Sequence, residues 1–237
     1  MTCRAEIVAV SAGTVTLAVC EEFIRAVERT GAKQADLRPV DPREHSREQH
    51  GKVFALCADI SAWSGHGKTE LIFWHWVSPE EARYALTDEF CAQEGLERFS
   101  MADVDMETCR DFITFLVDFC LVNAEHGLHT KQPLGKLAED AERYIYACLL
   151  HRKCSLCGRP ADLHHIDAIQ MGHDRNEVEH VGRRAIALCR EHHEEAHRQG
   201  VKTFFDLYHL PRGIKLDRYL CGRLGLNARP ENAEEKG

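Results

Sequence analysis

Two short cysteine–histidine pairs restrict the fold of this chain more than any apolar pattern does. The first is Cys154-Ser-Leu-Cys157-Gly158 and the second is Cys189-Arg-Glu-His192. Two thiolates three residues apart on a tight turn, with glycine supplying backbone freedom, form a zinc knuckle. A lone Cys-x-x-Cys would also suit a redox pair, but a redox pair needs no matching pair downstream. Four ligands in two pairs suit tetrahedral zinc. A structural Zn2+ on Cys154, Cys157, Cys189 and His192 is therefore expected. The strand-like "RRAIAL" before Cys189 and the helix-like "CREHHEEAH" beginning with it place the second pair at the mouth of a helix.

Four candidate histidines lie outside these two pairs. His193 and His197 stand at i, i+4, so both imidazoles project from one helix face. His192 points about 100° away from that face, toward the cysteine pair. His164 and His165 are adjacent on the extended segment "ADLHHIDAI" and point to opposite sides of it. One of them can ligate a metal while its neighbour faces a substrate. A solvated histidine-rich surface, or a single zinc supported by all the histidines, is the alternative. The i, i+4 pair directly after the second half of the knuckle favours two separate sites.

Three neutral imidazoles on a divalent cation leave coordination positions open, as in catalytic rather than structural centres. An open cation can stabilise charge developing on a phosphodiester, and a neighbouring histidine near its ordinary pKa can take a proton from water. The spacing His193-Glu194-Glu195-Ala196-His197 also matches a metallopeptidase helix. Such a helix, however, has no zinc-ribbon half at its start and takes its third ligand further downstream.

At these residues the chain resembles the HNH endonucleases, the ββα-metal or His-Me finger superfamily. Their pattern is a zinc knuckle, a two-histidine strand, a loop, a second strand, and a helix opening Cys-x-x-Cys-His with a further histidine. Here His192 replaces the second ribbon cysteine. The resemblance implies His165 as general base and His164, His193 and His197 as ligands of a catalytic cation, Mg2+ or another such as Mn2+, Zn2+ or Ni2+. Arg184 falls on the family's middle asparagine, which braces the loop carrying the base; arginine could brace through backbone carbonyls or bind phosphate instead. The stretches "HRKCSLCGRPADLHHIDAIQMGHDRN", "ALCREHHEEAH" and "FFDLYHLPRGIKL" are similar to a bacteriophage and prophage subgroup, as are "SREQHGKVFALCADISAWSG", "FSMADVDMETCRDFITFLVDF" and "AERYIYACLLHRKC". The helical part is more weakly similar to phage recombination-mediator proteins that bind single-stranded DNA. A DNA endonuclease acting in phage recombination, replication or processing is the function these resemblances imply. The alternative is a zinc-stabilised single-strand-binding accessory protein with weak or no nuclease activity. DNA is the expected partner, phage recombination or replication proteins are possible ones, and the oligomeric state stays open.

The rest of the chain supplies context. Residues 1–150 carry 15 Lys and Arg against 25 Asp and Glu, and residues 151–237 carry 15 against 13. The acidic first part argues against a surface that grips nucleic acid throughout. Nine of the 15 histidines lie in the last 87 residues. The N-terminus lacks a signal-peptide pattern and no run is long and apolar enough for a membrane helix, so a cytoplasmic location in a bacterial host is expected. The remaining cysteines are expected in the core.

The expected fold class is α+β: a small β-hairpin with a helical domain, then a C-terminal ββα-metal HNH domain with a zinc ribbon. Residues 1–45 would form the small β/α element, 46–150 a helical domain presenting DNA, 151–220 the nuclease domain, and 221–237 a polar tail. "AEIVAV" and "TVTLAVC" predict the hairpin, "EEFIRAVERTG" a short helix ending at Gly31, and "ADLRPV" a third strand. Helices are expected from Ser46 and Ser78 on capping-box patterns, over about 106–123, and over 136–150 with Leu137, Ala141, Tyr144 and Cys148 inward. Lys153, Arg175, Arg183, Arg190 and Arg198 are candidate phosphate contacts. His173, His180 and His209 fall outside the ligand spacing and are expected to be hydrogen-bonded or exposed. Trp63, Trp74 and Trp76 could stack bases, but their apolar neighbours favour packing roles.

Overall fold

Helix starts written into the sequence organise the first half. In the computed structural model, residues 5–35, 43–65, 75–167, 179–210 and 212–228 are described. Strands β1 (Glu6–Ser11) and β2 (Thr14–Ala18) pair antiparallel with Ser11 opposite Thr14. The two-residue turn between them places Gly13 at φ +83°, a conformation that glycine adopts without the Cβ penalty. Ile7, Val8, Val10 and Val15 of this hairpin are exposed. Helix α1 (Glu21–Thr30) stops at a left-handed Gly31, as expected, and buries none of its residues. The strand expected at "ADLRPV" lies mostly outside the described residues.

Helix α2 (Arg47–Trp63) opens on a full capping box: Ser46 Oγ accepts from the Gln49 N–H at 3.0 Å, and Gln49 Oε1 accepts from the Ser46 N–H at 2.9 Å. Helix α3 (Pro79–Glu94) repeats the device with Ser78 and Glu81, with proline in its first turn. Helix α4 (Met106–Asn123) is capped by Asp105, which accepts from the Thr108 N–H. Val53, Leu56, Cys57 and Ile60 of α2 recur at helical spacing and are buried together with Leu86, Phe90, Cys109, Phe112, Ile113, Leu116 and Cys120. Each large aliphatic side chain buried here stabilises the fold by roughly 1.5–3 kcal/mol. Cys57, Cys91, Cys109, Cys120, Cys148 and Cys221 are buried as expected, whereas Cys20, at the start of α1, is exposed.

The single helix expected over 136–150 is divided. Helix α5 (Leu134–Leu137) ends, and α6 (Ala141–Leu150) begins after a break at Ala138, Glu139 and Asp140. Asp140 accepts hydrogen bonds from the Glu142 and Arg143 N–H groups, both at 3.0 Å. This capping competes with helix continuation. Glu139 turns back to pair with Lys52 of α2. Ala141 then sits in an exposed first turn rather than facing inward, while Tyr144, Ile145, Cys148 and Leu149 are buried.

The second half is built on the antiparallel sheet β3 (Asp162–His165), β4 (Arg184–Leu188) and β5 (Ile214–Lys215), in that spatial order. Central β4 buries Ala185 through Leu188. It packs against α6 and against α7 (Arg190–Gln199). Helix α8 (Val201–Tyr208) follows, and α9 (Arg218–Leu224) crosses residue 221 with Leu220 and Cys221 buried. One continuous cluster of buried side chains runs from Val53 to Cys221, and the Tyr144 hydroxyl donates to the Ser155 carbonyl at 3.1 Å, tying α6 to the knuckle. No helix among the described residues is long and apolar enough to cross a membrane.

Gly213 carries the turn into β5. Its φ is +60°, and an added Cβ would lie 2.5 Å from the Ala185 carbonyl oxygen and collide with Ile166 Cδ1. Gly213→Ala should cost about 1–2 kcal/mol from the left-handed conformation alone, and more as β5 is pushed off β4. Gly222, in α9, meets nothing within 4 Å, so Gly222→Ala should be neutral or stabilising. Urea midpoints of the two variants check this; equal midpoints would contradict the close approach.

Candidate functional site

The strand β4 ends at Leu188 and α7 starts immediately, so Cys189 is the N-cap of the helix. That junction sends consecutive residues to two different clusters. Cys189 and His192 meet the knuckle: His192 Nδ1 lies 3.4 Å from Cys154 Sγ, 3.7 Å from Cys157 Sγ and 3.2 Å from Cys189 Sγ. Cys157 and Cys189 sulfurs are 3.7 Å apart. Zinc bonded to sulfur at about 2.3 Å and to nitrogen at about 2.0 Å sets tetrahedral edges of about 3.5–3.8 Å, close to the edges this donor set already has. The four residues could hold zinc.

Arg159 completes this cluster, and nothing in its spacing marks it as a member. Its Nε donates to Cys157 Sγ at 3.3 Å, its guanidinium also reaches Cys189 Sγ at 3.6 Å, and Glu191 holds it at 2.6 Å. Burial pushes the Cys154 thiol up to about 12. Burial is the largest influence on Cys157 and raises it, but hydrogen bonds from Arg159, Cys154 and Cys189 together outweigh burial and lower that thiol. A cation beside two of the thiol ligands offsets the negative charge they carry when deprotonated.

His193 and His197, one turn apart on α7, face β3. His164 comes from the outer strand β3, paired with Ile186 of the central strand, and is 1% exposed. The ring centroids are 4.7 Å apart for His164 and His193, 5.0 Å for His164 and His197, and 4.7 Å for His193 and His197. One nitrogen from each falls within 4.8 Å of the others, so the three could hold a metal ion. His164 Nε2 is buried with no hydrogen-bond partner among the described residues, which is costly for an imidazole unless the nitrogen serves a ligand. Burial, reinforced by His193 and His197, lowers the His164 pKa to about 4. His193 is lowered too, by burial and then by His197. Neutral imidazole is the form that binds metal.

His165, the next residue on β3, does not join that cluster. Opposite Ala185 in the ladder, it stacks on His180 with centroids 4.9 Å apart and planes 27° from parallel. His180 is buried at 4% exposure, and its Nδ1 is buried with no hydrogen-bond partner among the described residues. The sequence expectation for His180 is a hydrogen-bonded or exposed residue; its backbone N–H is hydrogen-bonded, but its ring is buried instead of exposed, and a loop residue carries no periodicity to reveal that burial. Arg184 ties the segment after His165 to β4 by its backbone N–H, which donates to Asp167 Oδ2 at 2.7 Å, while its guanidinium donates to the Arg212 carbonyl at 3.3 Å. Asp167 is a second contributor that spacing alone gives no reason to single out.

The remaining candidates are dispersed. Arg190 pairs with Glu194 on the exposed side of α7, and Arg183 Nε donates to the Glu179 carbonyl. Arg198 is exposed and Lys153 half-buried. Arg175, His173 and Trp74 lie outside the described residues. His209 caps α8 with φ +50°. Trp63 packs edge-on against Phe119 and donates to the His126 carbonyl, but Trp76 is 65% exposed rather than packed. An open cleft lined by Arg143, Tyr146, Arg184, Lys215 and Asp217, among others, is formed by neither ligand set.

A protein-family model described as "Putative HNHc nuclease" matches residues 16–226, and the chain belongs to that family. The match takes in the helical half as well as both clusters, leaving out β1. Comparisons with curated proteins and with solved structures find no match.

The two clusters lead to separate expected outcomes. Native mass measurement should count one zinc that survives mild chelation, and Cys154→Ser should lose it; retention of that zinc in a folded Cys154→Ser protein would exclude the four-residue site. In protein freed of loosely held metal, His164 folds with a pKa of about 4 against 6.5 when unfolded. The unfolded chain therefore binds the extra proton below pH 6.5, and stability from this residue is full above that pH and falls toward pH 4. Urea midpoints should decline more steeply over this window than in His164→Leu. Parallel declines would contradict a neutral buried His164.

Proposed function

We propose that the protein is a metal-dependent DNA endonuclease that hydrolyses phosphodiester bonds, with β3, β4 and α7 forming a ββα-metal unit. The observation that carries this reading is the convergence of His164, His193 and His197, with a His164 nitrogen buried and without a partner among the described residues, beside a fourth imidazole on the strand of His164. Family membership supports the nuclease class. A divalent cation such as Mg2+, Mn2+, Zn2+ or Ni2+ bound there supplies Lewis-acid stabilisation of the charge developing on the scissile phosphate and the leaving oxygen.

The chain's own residues do the rest. His164 enters neutral, because burial and its histidine neighbours disfavour the charged form. His165 accepts the proton of the attacking water and, from the adjacent strand position, approaches the phosphate from outside the ligand set. Cys154, Cys157, Cys189 and His192 would hold structural zinc, which would fix the start of α7 and thereby the direction of His193 and His197. Arg184 stands where the family has asparagine; its backbone tie to Asp167 supports a bracing role. Lys153, Arg175, Arg183, Arg190 and Arg198 are proposed phosphate contacts. Residues 46–150 would present DNA to the 151–220 unit, in phage DNA recombination, replication or processing.

A nicking assay on plasmid and single-stranded DNA with each of the four cations tests the proposal. Wild type should cut, and His165→Ala should slow cutting by about 100-fold or more, the usual contribution of a general base. Equal rates would remove His165 as the base. Absence of cutting with every cation, together with tight single-strand binding, would leave an accessory DNA-binding protein.

A further inference from the structure

We propose that His180 is a positioning residue that holds the His165 imidazole by stacking on its face. The proposal rests on the nuclease reading of His165. The two rings lie 4.9 Å apart and 27° from parallel, within the range of offset stacking between flat rings. His180 is 4% exposed, so the face it offers is shielded from water.

The backbone around His180 is clamped independently of α7. The His180 N–H donates to the Asn227 carbonyl at 3.2 Å, and the Arg183 N–H donates back to the His180 carbonyl at 3.2 Å. Gly182 N–H donates to the Leu216 carbonyl at 2.8 Å, and Leu216 N–H donates to the Arg183 carbonyl at 2.9 Å. Arg183 Nε closes the turn on the Glu179 carbonyl. Residues 179–183 are thus anchored to the segment around β5 and to the chain just past α9. The ring of His180 arrives at His165 from a support that the metal-ligand helix does not share.

What His180 contributes is its face. Its Nδ1 is buried with no hydrogen-bond partner among the described residues, a cost that hydrogen bonding does not repay. His165 lies at the end of β3, an outer strand of the sheet. A base there must present one ring nitrogen to water within about half an ångström and about 10–20° of the productive geometry. A fixed ring lying flat against the imidazole limits its tilt and swing through the face alone, and the Nδ1 of His165 is itself buried.

The experiment measures kcat and KM for plasmid nicking in wild type, His180→Ala, His180→Phe, His165→Ala and the His165→Ala/His180→Ala double variant, with zinc content and near-ultraviolet circular dichroism as checks on folding. His180→Ala should lower kcat about 10–100-fold, the scale of a misplaced catalytic group, with KM within about twofold. His180→Phe keeps a flat ring without nitrogens and should return kcat to within about threefold of wild type. The double variant should match His165→Ala. A His180→Phe protein as slow as His180→Ala would show that a nitrogen acts, and would overturn the stacking role. Further loss in the double variant would show action by a route other than His165, with the same consequence. If His180→Ala does not fold, the kcat of His180→Phe decides in the same sense. A wild type no faster than His165→Ala sinks the base itself and the positioning role with it. An intact gap between those two with a fully active His180→Ala sinks only the positioning role.

Discussion

The join between β4 and α7 is the constraint on which the rest of the site depends. Cys189 is at once the residue after a buried strand, the N-cap of the helix and one of four residues that could hold zinc. Strand burial fixes where the helix starts, and a metal on Cys189 and His192 would fix how it is rotated. Rotation then decides where His193 and His197 point, because each helix position turns by about 100°. One short stretch therefore distributes its donors between two clusters without any side chain serving both.

Packing makes that join rigid. Ala185 through Leu188 are buried between α6 and α7, and Tyr144 of α6 reaches across to the knuckle backbone. The helical half is thus no separate appendage: its core and that of the site are one cluster of buried side chains. Arg159 adds an electrostatic layer, placing a guanidinium against two sulfurs that the donor set would leave negatively charged. Asp167 and the Arg184 N–H supply a corresponding tie on the other side of the two-histidine strand.

Much of this is legible in the chain because it depends on local order. Ser46-x-x-Gln49 and Ser78-x-x-Glu81 announce helices whose boxes are fully formed. Cys154-x-x-Cys157 and Cys189-x-x-His192 meet as spacing requires, and His193 and His197 share one helix face. The break at Glu139 and Asp140 is hidden because the apolar rhythm continues through it; only Lys52, far away in sequence, gives Glu139 a reason to turn aside. Trp76 shows the opposite failure, an aromatic amid apolar neighbours that tertiary packing nevertheless leaves exposed.

The sequence by itself determined the donor types, their pairing and the helix that separates them, since each of these is set by residues within a few positions of one another. Alternation along β3 gives two sides but does not say what lies on each, so the family resemblance alone implies His164 rather than His165 as the partner of α7, and the tertiary structure brings it there. It alone brought His180 onto His165, Arg159 onto the sulfurs and Asp167 onto Arg184. Those contacts join segments far apart in sequence whose approach is fixed by the sheet and by the buried core beneath it, and no local pattern encodes that approach.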